Sequence, residues 1–158
     1  MTIEKMITGF SQQYTKALNM LEDIVNKYSS GSWLDHTNYQ NAACQIAYHA
    51  LFYTNIYASP AEDRIIKWEK EIWNYHDLKK TDFNDHLLIS DINALIAFVR
   101  NNIKLYLKDF SPASDCWPSW YSQNQFEFHI NNLRHLQQHT AELIERLNNI
   151  QTISYHWQ

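Results

Sequence analysis

Only five residues in this chain of 158 are glycine or proline, 2 and 3 respectively. Those two residue types break helices and make tight turns, so a chain with so few is built from a small number of long elements. Between the breaks, apolar residues recur at helical spacing in four stretches. Roughly Ile3 to Tyr28 carries Met6, Ile7, Phe10, Tyr14, Leu21 and Ile24 on one stripe, and Ser29-Ser30-Gly31-Ser32 ends it. Roughly Asn38 to Ala58 is apolar or weakly polar on nearly every face, the mark of a helix buried on most sides. A third stretch starts near Ser90-Asp91 as N-cap and runs to Phe110, before Ser111-Pro112. The fourth runs roughly from Gln123 to Ile150. Four amphipathic stretches with little else predict an all-α four-helix bundle in one domain spanning residues 1–158. An aromatic insert at about 61–89 interrupts it. Within that insert, Arg64 to Trp73 fits a short helix, and Trp68, Trp73, Tyr75 and Phe83 predict that it packs on the body.

Composition narrows the function. No apolar run approaches the ~18 residues of a membrane span. The N-terminus lacks a basic segment followed by an apolar core, so no secretion signal is expected. Two cysteines, Cys44 and Cys116, make no disulfide framework, and a cytoplasmic setting is the simplest expectation. A net charge of -4 argues against a nucleic-acid partner. Six tryptophans and ten tyrosines exceed what a small core needs, so some are expected to line a pocket or a homodimer interface.

The chemistry lies in three histidines. His135 and His139 are four apart, just over one helical turn, so both imidazoles project from one face. A helix presents two nitrogen ligands to one metal ion in this way. On a helical wheel the pair sits about 110° from the centre of the apolar stripe, on a ridge with Phe128, Glu142 and Arg146. His49, on the second helix, is the third candidate ligand. Taken singly, each has a plain alternative, since His135 and His139 can be solvated and His49 can be a core histidine bonded to a carbonyl or tyrosine. His36, His76, His86, His129 and His156 are assigned no metal, and His129 is expected in the core. Glu142 is a candidate for holding His139 or for proton transfer, or a surface partner of Arg146. Cys44 reads as a small core residue, and nothing near Cys116 marks it as an activated nucleophile. Glu-x-x-His pairs, HExxH, GxSxG and a P-loop do not occur.

The segment Asn132-Leu133-Arg134-His135-Leu136-Gln137-Gln138-His139-Thr140-Ala141-Glu142-Leu143 resembles the last-helix signature of the DinB-like (damage-inducible) superfamily. Ile46-Ala47-Tyr48-His49-Ala50-Leu51-Phe52-Tyr53-Thr54 resembles its second-helix histidine segment. Ser90-Asp91-Ile92-Asn93-Ala94-Leu95 and the tryptophan-containing loop before the last helix also fit, so the resemblance runs from about Asn38 to Asn149. It implies a DinB-like bundle of up-down-down-up connectivity, often dimeric. It implies a divalent ion, zinc or nickel with iron as a further option, held by His49, His135 and His139. It also implies kinship with enzymes that use low-molecular-weight thiols. Ala141-Glu142 stands where members often carry Gly-Gln, and the insert from Ala61 to Ile89 has no feature that maps onto the family pattern. The expected function is a metal-dependent enzyme that activates a small thiol or water for transfer or hydrolysis. The alternative is a non-enzymatic, stress-associated binding or interaction protein with a structural or vestigial metal site.

Overall fold

The computed structural model describes residues 2–115, 117 and 124–154. Among them lie five α-helices: α1 (Ile3–Val25), α2 (Ser30–Leu34), α3 (Ala43–Ala58), α4 (Ile89–Tyr106) and α5 (Gln125–Asn148). Short 3-10 turns cover Glu62–Arg64 and Leu107–Asp109, and no β-strand is present among the described residues. No helix of these is long and apolar enough to cross a membrane.

The helix starts follow local chemistry. Thr2 caps α1 by accepting the Lys5 N–H. Asn124 caps α5, its side chain accepting the Glu127 N–H at 3.0 Å while the Glu127 carboxylate accepts the Asn124 N–H at 3.4 Å. Gln123, the expected first residue of this helix, lies outside the described residues. The expected Ser90-Asp91 cap is displaced by two residues. Leu88 is the capping position, and Asp91 contributes from the first turn by accepting the Leu88 N–H at 3.0 Å. α3 starts at Ala43 rather than Asn38 because the preceding side chains compete for the backbone. The Asp35 carboxylate accepts both the N–H and the hydroxyl of Thr37, and Asn41 bonds Gln45 and the Leu78 carbonyl.

Two expectations for the connections are corrected. The serines read as a plain stop after α1 instead start α2, where Ser29 and Ser32 cap each other. α2 plants Trp33 in the core, 1% exposed, with its indole N–H donating to the Leu87 carbonyl at 2.9 Å. Arg64 to Trp73 is not a helix beyond the 3-10 turn. The backbone of Ile66 is captured from both sides: its carbonyl accepts from Asn55 on α3, and its N–H donates to the Tyr106 hydroxyl on α4, both at 2.8 Å. Those bonds replace the helical ones. Tyr75 is fully buried and Phe83 packs on it, as expected of the insert, but Trp73 is 85% exposed.

The four long helices form a ring in which α1 and α3 each pack against both α4 and α5. Cross-contacts give their directions. α1 and α5 run parallel, since Phe10 meets Phe126, Tyr14 meets His129 and Tyr28 donates to the Leu143 carbonyl. α3 opposes α5, since Asn132 donates to the Thr54 carbonyl and Arg146 to that of Asn41. α4 opposes α1: Phe110 meets Phe10, and Arg100 reaches Asn19 and Glu22. Along the chain the long helices therefore run up, down, down, up. Leu21, Ile24, Leu51, Ile92, Ile96, Leu136 and Leu143 fill the centre with no exposure. α3 is buried on most faces, as its composition predicts.

His129 is a core histidine, as expected: it is 6% exposed, packs against Phe10 and Phe110, and its Nδ1 lies 2.9 Å from the Tyr14 hydroxyl oxygen. Burial holds its pKa down at about 4. In the unfolded chain it titrates near its ordinary value, so between about pH 6.5 and 4 the unfolded state binds a proton that the native state refuses. Stability is complete above that window and falls as pH drops through it, by about 3 kcal/mol for this residue. His49 and His135 push in the same direction. His129→Phe, with two phenyl rings already around the position, is expected to flatten that part of the acid loss in urea melts at pH 7, 5.5 and 4. A pH slope equal to that of the wild type would count against this account.

Candidate metal centre

His49 comes from α3, and His135 and His139 come from α5, so the antiparallel contact between these helices brings the three candidate ligands together. Each offers one ligand atom, and these atoms all lie within 4.8 Å of one another. Ring centroids are 5.1 Å apart for His49 and His135, 4.6 Å for His49 and His139, and 4.7 Å for His135 and His139. His139 is buried, whereas His49 and His135 are half-buried. The cluster lies off the centre of the core, as the wheel predicts.

Hydrogen bonds orient two of the rings. His49 Nδ1 lies 2.7 Å from the His76 carbonyl oxygen. A carbonyl only accepts, so the proton is on Nδ1 and Nε2 carries a bare lone pair. His139 Nδ1 lies 3.1 Å from Glu142 Oε2. The Glu142 carboxyl is held below the usual carboxylate range, first by its bond from His139 and also by the Arg146 guanidinium. It is therefore ionised and accepts the His139 Nδ1–H. The bare Nε2 of His49 is 3.1 Å from Nε2 of His135, and His135 Nδ1 is buried without a hydrogen-bond partner.

Nitrogen ligands on a tetrahedral ion at about 2.0–2.1 Å stand about 3.3 Å apart, close to this contact. Burial pushes both His49 and His135 down to about 4. Three imidazole ligand atoms this close together fit a divalent cation.

Glu142 combines two of its expected roles, bonding His139 through one oxygen and Arg146 through the other. Arg146 is itself buried, donates to the Asn41 carbonyl at 2.7 Å and covers the Tyr39 ring at 4.3 Å. With both oxygens engaged and its affinity for a proton lowered, Glu142 is a better orienting group than base.

The side chains around the cluster come chiefly from α3. Tyr53 and Tyr57, four and eight residues beyond His49 on α3, pack on the cluster: Tyr53 is 4.9 Å from His49 and 5.7 Å from His135, and Tyr57 is 6.3 Å from His135. Their spacing was the signal for them, since it sets all three on one ridge. From the insert, His76 contributes, its ring stacked on Phe52 at 4.1 Å. Trp68 packs instead on Tyr48, and Trp117 donates to the Ser59 carbonyl at 2.9 Å beside a pocket lined by Tyr57 and Phe128. Cys44 is buried, 3.1 Å from the Tyr75 hydroxyl, and burial pushes its thiol up. His36 and His86 are exposed. Trp120, Cys116 and His156 lie outside the described residues.

Comparison with protein-family models, with curated proteins and with solved structures gave no match.

Proposed function

We propose that this chain is a metal-dependent enzyme built on a DinB-like, up-down-down-up four-helix bundle, with one divalent ion held by His49, His135 and His139. Zinc or nickel suits three imidazoles best, and iron is the third choice. The observation that carries the reading is the convergence of three imidazoles whose ligand atoms lie within 4.8 Å of one another, two of them oriented by Nδ1–H bonds to a carbonyl and a carboxylate. Bound there, the ion would supply Lewis acidity, favouring the anionic form of a small thiol or of water.

The chain's own contribution is positional. Three neutral ligands leave the full positive charge on the site, which favours an anionic reactant. The His76 carbonyl and the Glu142 carboxylate set the direction of two imidazoles, and the bond from His139, together with Arg146, keeps Glu142 ionised. Tyr53, Tyr57 and Phe52 give an apolar wall that limits bulk water and strengthens local electrostatics. Transfer of a low-molecular-weight thiol onto an electrophile is the reaction this favours, with hydrolysis second.

The test is an assay of zinc- or nickel-loaded protein against a panel of low-molecular-weight thiols and a generic electrophile. At least one thiol is expected to be consumed more than about tenfold faster than with His135→Ala protein, a barrier difference of about 1.4 kcal/mol. Equal rates for every thiol would count against the transferase reading.

A further inference from the structure

Asn41, Gln45 and His49 are spaced four residues apart, and their side chains converge on one turn of the insert. Asn41 donates to the Leu78 carbonyl at 2.9 Å. Gln45 donates to the carbonyls of Tyr75, Asp77 and Lys80, at 3.3, 3.3 and 2.8 Å. His49 donates to that of His76 at 2.7 Å. The turn is shaped by Asn74, which adopts a left-handed conformation with φ 58, a region asparagine tolerates better than most residues.

The His76 ring lies flat on Phe52, with centroids 4.1 Å apart and planes 6° apart. Its Nδ1 is buried and has no hydrogen-bond partner. The ring is therefore used as a flat plate rather than as a hydrogen-bonding group. Phe52 is three residues beyond His49 on the same helix, so the stack fixes the turn to the element that carries the ligand.

We propose that His76 is a positioning residue of the three-histidine cluster: stacking on Phe52 holds its carbonyl against His49 Nδ1 and so locks His49 in the tautomer whose Nε2 faces His135 and His139. A neutral histidine without such a partner divides its proton between the two nitrogens. Each visit to the other tautomer removes one lone pair from the cluster. The consequence for metal affinity rests on the reading of the site given above, whereas the tautomer lock is a property of the metal-free chain.

The test uses the full chain, metal-free for nitrogen-15 imidazole NMR and titrated with zinc for affinity. In the wild type, His49 is expected to show a protonated Nδ1 and a bare Nε2. His76→Ala is expected to move both His49 resonances toward averaged values and to weaken zinc binding by about 10–100-fold, the usual cost of losing a ligand's orienting partner. His76→Phe keeps the stack and removes an unpartnered buried nitrogen, so it is expected to restore both readouts. Phe52→Leu breaks the stack from the other side and should reproduce the alanine variant, which keeps the test decisive if His76→Ala fails to fold. An unchanged His49 pattern in the stack-breaking variants, or a His76→Phe protein as impaired as His76→Ala, would overturn the proposal. If the lock behaves as expected but wild-type protein binds no zinc, the positioning role stands and the metal reading falls.

Discussion

Replacing His135 with alanine is expected to lower zinc affinity by more than about 100-fold, beyond the roughly 10–100-fold typical of losing an orienting partner. His135 stands at the meeting point of the cluster, with its Nε2 3.1 Å from that of His49 and its ring within 4.7 Å of His139. Glu142→Gln, which keeps an acceptor for His139 but loses the charge, should fall inside the smaller range. Helix content should survive in both variants, because neither side chain belongs to the apolar core. Competition titration against a colorimetric zinc chelator separates the two cases. A His135→Ala protein that binds as tightly as the wild type would remove the site assignment.

Trp33→Ala is expected to destabilise the fold by about 3–5 kcal/mol, the range for truncating a buried tryptophan. Trp33 is 1% exposed, packs edge-on to Tyr28 at 5.4 Å and ties α2 to the segment before α4 through its bond to the Leu87 carbonyl. The loss leaves a cavity and an unpaired carbonyl. Against a total stability of about 5–15 kcal/mol, this is a large fraction. Urea unfolding would read it directly, and a change below about 1 kcal/mol would mean that α2 is not a structural anchor.

The long helices were legible because periodicity is a strong signal over twenty residues and glycine and proline hardly interrupt it. α2 was not, because five residues carry no period and Ser29 to Ser32 fit either a stop or a cap. The false helix at Arg64 to Trp73 has a tertiary cause: Asn55 and Tyr106, remote in sequence, take both backbone groups of Ile66. Among the site residues, His135 and His139 announce themselves by spacing, and His49 by its place on an apolar helix. His76 does not, since it acts on His49 through a carbonyl that every residue possesses. Glu142 was ambiguous between His139 and Arg146 because both lie within one helical turn, and the structure pairs it with both.

Three converging histidines on two helices call for one divalent ion per chain. Elemental analysis of protein purified without a histidine tag, followed by zinc titration of the stripped chain, tests it most directly. About one equivalent of zinc, nickel or iron per chain is expected, with saturation at one equivalent of added zinc at low micromolar concentration. Protein that carries no divalent metal and shows no saturable zinc binding in that range would contradict it.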